Sequence, residues 1–198
     1  MKYIDRAFAS AILMFLAGAL LGATITILST NMREIAVALL QARMVSPLQM
    51  VSHLGDIAVF LVVFANNSVP VILSFVYPFA LAKIVWTPPL GKHRRALLLS
   101  SYTFIAAFLI GFFSVGTPLA VAWVLGGTRL SFSLIFGARI HAPLEFALVL
   151  VCVAEPLRLS SSARGGETIR QLIDDRWLLA FSIAGLLVSG AIEVSLGI

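Results

Sequence analysis

Long apolar runs alternate with short polar stretches along this chain, and the runs set the elements. Ala7 to Ser29 is free of charge. Such a run exceeds a signal-peptide core of roughly 7–15 residues and reaches the ~20 needed to cross a bilayer, so it predicts a retained first transmembrane helix. Its Gly18, Gly22 and Ala23 put small side chains on one face, which suits close helix packing. Asn31 to Gly55 is mixed, with Arg33 to Met44 as an amphipathic interfacial helix, and 32–65 as a whole predicts an interfacial or re-entrant segment. The apolar stretch from Asp56 to Trp86 is interrupted by Asn66, Asn67, Ser68 and Pro70. A single tilted helix would fit it. The preferred reading is a half-helix or re-entrant piece over 56–65 and a span over 66–86, with Asn66 as its N-cap.

Three further runs follow, at about 96–125, 139–159 and 177–197. The first has Gly116, Thr117 and Pro118 as a point of breakage, and a short linker over 126–140 separates it from the second. The hydrophilic loop from Ser160 contains one short helical piece, Glu167 to Arg176, and Trp177 stands where an interfacial aromatic anchors the last run. The expectation is therefore an all-α fold. It is a single polytopic integral membrane domain over 1–198, with about five transmembrane helices and the interfacial or re-entrant piece after the first.

The run from His141 to Arg158 differs from the others because it carries ionisable groups. At about 100° per residue, with His141 at zero, Glu145 falls near +40°, Leu148 near −20°, Cys152 near +20° and Glu155 near −40°. One narrow stripe thus holds the deep polar groups. Charge within a membrane is costly and normally faces other helices or a wet cavity, so this helix is expected at the centre of a bundle. Glu155 lies about 21 Å below His141 by helical rise, and Arg158 stands three residues on, able to pair with it. Pro156 removes a backbone donor between them and leaves the carbonyl of Cys152 without its usual partner.

Composition agrees with this reading. Of 198 residues, 60% are hydrophobic and 12% charged, with a mean hydropathy of +1.03; a soluble domain carries roughly twice that charge. The net charge of +5 resides in the loops, so it points to membrane topology rather than to nucleic acid. Lys2, Arg6, Lys83, Lys92, Arg94, Arg95, Arg158, Arg164, Arg170 and Arg176 fall on one side of a five-span chain. Arg33, Arg43, Arg129 and Arg139 fall on the other. That bias predicts a multi-pass cell-membrane protein with a cytoplasmic N-terminus and an external C-terminus. The lone Cys152 excludes an intrachain disulfide and reads as a small buried hydrophobe.

With that topology, Asn66 and Asn67, His141 and Glu145, and Glu193 converge towards the outer side, while Glu155 and Arg158 form an inner pair. His141 and Glu145, four residues apart, could ligate a metal, exchange protons or simply hydrogen-bond between helices. Two ligands without a further histidine at ligand spacing make a poor metal site. No nucleophile–base set, acidic pair or nucleotide loop is visible, so neither catalysis nor a cofactor is expected.

Three segments, in order, resemble the stage II sporulation protein M family. F-A-N-N-S-V-P-V-I-L-S-F is similar to its asparagine-pair entry to a span. H-A-P-L-E-F-A-L-V-L is similar to its histidine–glycine–two residues–glutamate signature, with Ala142 in the glycine's place and Pro143 in the first helical turn. G-A-I-E-V is similar to its glutamate near the chain terminus. The resemblance covers residues from about 64 onward. It implies a small membrane protein without catalytic activity of its own, working with partner proteins, and it marks Asn66, Asn67, His141, Glu145 and Glu193. The expected role is a membrane scaffold that anchors partners or self-associates in the lipid bilayer. The alternative is the membrane subunit of a transporter, driven by a separate ATPase or acting as a homo-oligomeric carrier.

Overall fold

The computed structural model describes residues 2–42, 46–83, 91–137, 141–162, 170 and 173–195, and among these there is no strand. Among the described residues eight α-helices follow in order: α1 (Lys2–Leu28), α2 (Thr30–Leu40), α3 (Ser46–Val51), α4 (Asp56–Lys83), α5 (Lys92–Gly111), α6 (Thr117–Gly137), α7 (His141–Ser162) and α8 (Arg176–Ser195). Among the described residues three stretches are long and apolar enough to cross a membrane: Arg6–Leu28, Asp56–Leu81 and His93–Gly127. Arg176–Ile192 is a shorter apolar helix.

Short-range chemistry explains the joints. Ser29 leaves the helical region (φ −117°, ψ 118°) and its Oγ accepts from the Met32 N–H at 3.3 Å, which starts α2. Arg33 donates to the Ile27 carbonyl at 3.0 Å, placing a cation at the carbonyl end of α1. Before α4, Gly55 takes φ 93°, a conformation that strains any residue with a Cβ.

Two expectations need correction here. The break at Asn66 is absent: α4 runs unbroken from Asp56 through Asn66, Asn67, Ser68 and Pro70, so Asn66 is helix interior and 56–65 is the first part of the same helix. Asn and Pro weaken helices in water by offering or removing backbone partners. Where water is scarce the backbone must bond within its own helix, and proline is tolerated. The linker expected over 126–140 is helical as far as Gly137, with one kink at Gly127 (φ 60°, ψ −151°). The irregularity expected near Pro118 is present. A π-helical stretch, Phe112–Gly116, precedes it, and the Thr117 N–H reaches back to the Phe112 carbonyl. Proline lacks an N–H and its ring collides with the carbonyl four residues back, and one wide turn relieves both problems.

Helix α7 is the axis of the molecule, packing against α1, α4, α5 and α8. Its middle is buried almost continuously, from Leu148 to Leu150 and from Cys152 to Pro156. The surrounding helices turn large apolar side chains outward, among them Leu13 and Leu20 of α1, Ile72 and Phe79 of α4, Ile105 of α5, and Phe181 and Val188 of α8. Apolar outside and charged inside reverses the pattern of a water-soluble bundle and fits a multi-pass membrane protein.

Side-chain contacts give the helix directions. Gly18 and Gly22 of α1 lie against Phe108 and Phe112, while Gly111 and Gly116 lie against Phe15 and Ala19. The two chains therefore run parallel, so close that a Cβ at Gly18 or Gly111 would overlap the facing backbone. Helix α4 runs opposite to α5. Ser74 meets Tyr102, Tyr77 donates to the Leu98 carbonyl at 3.4 Å, and the two tyrosine rings stack 4.6 Å apart. Helices α7 and α8 are also antiparallel, with Leu148 on Gly185 and Cys152 on Ser182.

Candidate functional site

The polar stripe of α7 meets a matching stripe of α8. Ser182, Ser189 and position 193 are spaced by seven and four residues, so they share one face of α8. Cys152 Sγ donates to Ser182 Oγ at 3.1 Å, and both residues are fully buried. One turn outward, Leu148 seats on Gly185, where the missing side chain leaves room for it. Continuing that register sets Glu145 level with the buried Ser189, and the next turn sets position 141 level with position 193. The side chains of His141 and Glu193 lie outside the described residues. Their backbones belong to α7 and α8, and the register brings these two marked positions to the same level at one end of the bundle.

Asn66 and Asn67 sit deeper. The Phe60 ring of α4 lies against Gly190 of α8, near the outer end. The asparagines follow six and seven residues later, about 10 Å further in. They are half-buried at roughly the depth of Leu148, about one turn below Glu145. Ser68, next in the chain, is buried, and its Oγ has no hydrogen-bond partner among the described residues. The marked positions therefore fall on three helices that pack on one another, α4, α7 and α8, at two depths rather than one.

Towards the inner end, Arg158 holds Glu155 by a bidentate pair of hydrogen bonds, Nε to Oε2 at 2.9 Å and Nη2 to Oε1 at 2.5 Å. The same guanidinium pairs with Asp175, just ahead of α8. Glu155 is 3% exposed. The planar fork matches the carboxylate and spreads the charge over two bonds, which suits a site far from water. The i,i+3 pair was legible from spacing. Asp175 was not, because it comes from the hydrophilic stretch after α7 and no helical periodicity relates it to Arg158.

Beside Pro156 a hydroxyl from a different helix enters the α7 ladder. Thr103 Oγ1 of α5 accepts from the Leu157 N–H at 3.0 Å and donates to the Val153 carbonyl at 2.8 Å. The hydroxyl thus stands between the two backbone groups that would bond each other in a regular helix. Thr103 is fully buried. It was missed in the sequence because a single threonine in an apolar run carries no signal of its own.

Chemically, the junction offers carboxylates, hydroxyls, a thiol and amides inside an apolar shell. Among the described residues no three His, Cys, Asp or Glu side chains group as a metal site. Cys152 pairs with Ser182 and Arg158 with Glu155, and at the α7–α8 contact Leu148 on Gly185 lies between these groups and the Glu145–Ser189 level. No family model, curated protein or solved structure matches this chain.

Proposed function

We propose that this chain is a multi-pass membrane scaffold of the stage II sporulation protein M type. It acts without catalysis and anchors partner proteins through the outer end of the α4–α7–α8 junction. The observation that carries the reading is the closed seam between α7 and α8. At the α7–α8 contact, Leu148 packed on Gly185 sets an apolar layer between the Glu145–Ser189 level and the Cys152–Ser182 level. The inner charges are spent on each other, Arg158 against Glu155 and Asp175. A carrier needs exchangeable polar groups along its path, whereas a scaffold needs a rigid core and an accessible end. In this reading α1, α4, α5–α6, α7 and α8 all cross the bilayer. The cation distribution supports an N-terminus in the cytoplasm and a C-terminus outside. The ordered motifs around Asn66–Asn67, His141–Glu145 and Glu193 support the family assignment.

The test is purification of the full chain from native membranes in mild detergent, with identification of stoichiometric companions. An extracytoplasmic partner that is retained by the native chain and lost from a folded Glu145→Gln variant is the expected result. A stoichiometric ATPase would replace the scaffold by a transporter subunit.

A further inference from the structure

The N-terminal turns of α1 and α5 bring a cluster of basic positions to one end of the bundle. Lys2 and Arg6 belong to α1, and Lys92, His93, Arg94 and Arg95 to α5. The two helices run parallel, with Gly18 against Phe108 and Gly22 against Phe112. Three turns back along that register, Arg6 is level with Ala96 and Lys2 with Lys92. Arg6, Arg94 and Arg95 therefore lie within about one turn of the same level. Arg6, His93 and Arg94 are exposed, Arg95 is half-buried, and no described carboxylate pairs with Arg6, Arg94 or Arg95.

What lies directly below these cations is apolar. Leu97 is 60% exposed and Ile105 59%, both facing away from the bundle. Arg94, Leu97 and Ile105 are spaced by three and eight residues, so they share one outward stripe of α5, with the guanidinium at its head. Ala7 and Ala96, at the same level on the two helices, are buried, which keeps the helices packed just beneath the cations. A cationic head over an aliphatic wall is the complement of one molecule, a phospholipid with an anionic headgroup and two acyl chains.

We propose that the paired N-terminal turns of α1 and α5 form a binding site for an anionic phospholipid, with Arg94 and Arg95 holding the phosphodiester and the Leu97–Ile105 stripe receiving the chains. A soluble acidic partner would use the cations but not the exposed aliphatic stripe beneath them. The inference rests on the membrane reading above and extends it to lipid selectivity.

The experiment uses the full chain purified in an uncharged detergent, with its unfolding midpoint followed during titration of phosphatidylglycerol, phosphatidylcholine or inorganic phosphate. Phosphatidylglycerol is expected to raise the midpoint and phosphatidylcholine to leave it unchanged. The double variant Arg94→Gln/Arg95→Gln should unfold like the native chain without lipid. It should then need roughly thirtyfold more phosphatidylglycerol for the same rise, about 1 kcal/mol for each charge. Arg94→Lys/Arg95→Lys should restore most of the response. Equal responses to the two lipids, an unchanged response in the glutamine variant, or full reproduction by inorganic phosphate would each overturn the site. A chain that carbonate washing strips from its vesicles would overturn the membrane reading itself. A chain that stays embedded but does not discriminate between lipids would overturn this inference alone.

Discussion

Arg158 decides the inner half of the core. Its guanidinium is the counter-charge for Glu155, which has almost no access to solvent, and it also reaches Asp175. Removing one member of a buried pair strands the other, a loss of about 3–5 kcal/mol, whereas replacing both charges avoids that penalty. Arg158→Gln is therefore expected to lower stability in detergent sharply, and Glu155→Gln/Arg158→Gln to recover much of it. A double-mutant cycle on unfolding midpoints measures the coupling, and purely additive effects would show that the pair contributes nothing as a pair. Glu155 and Arg158 could be read from the chain because three residues along a helix make neighbours. Asp175 and Ser182 could not: each meets α7 from a separate segment, and serine among leucines changes hydropathy too little to be noticed.

Among the elements, α5 and α7 are joined by one hydroxyl. Thr103 supplies both the acceptor for Leu157 N–H and the donor for the Val153 carbonyl, next to the proline that interrupts the α7 ladder. Thr103→Val keeps the shape and deletes both bonds. A loss of about 1–3 kcal/mol is expected, with Thr103→Ser close to native. The check is thermal unfolding of the two variants side by side; equal midpoints would mean that α7 closes its own ladder without help. The elements themselves were partly legible. The polar stripe on α7 announced a central helix, and α7 is central. The unbroken course of α4 was hidden because Asn66, Asn67 and Pro70 read as a helix boundary under rules learned in water. The kink at Gly127 was hidden because a glycine pair suggests a linker as readily as a bend within a helix.

For the molecule as a whole, the contacts establish relative directions, with α1 parallel to α5, and α4 and α7 running against α5 and α8 respectively. If all five traverse the bilayer, single cysteines at positions 162 and 198 on a Cys152→Ala background should be labelled from opposite sides of sealed vesicles. Labelling from the same side would reduce the number of crossings. The central position of α7 has a consequence for biosynthesis. The ribosome delivers three of the four surrounding helices before the core: α1, α4 and α5 are complete at Gly111, whereas α7 is complete only at Ser162 and α8 follows it. At about 5–20 residues per second, that gap lasts roughly 3–10 s. Throughout it the inward faces of three helices have only lipid, one another or an insertion chaperone to cover them, so nascent chains arrested in this window should be the form of the protein most exposed to membrane proteases.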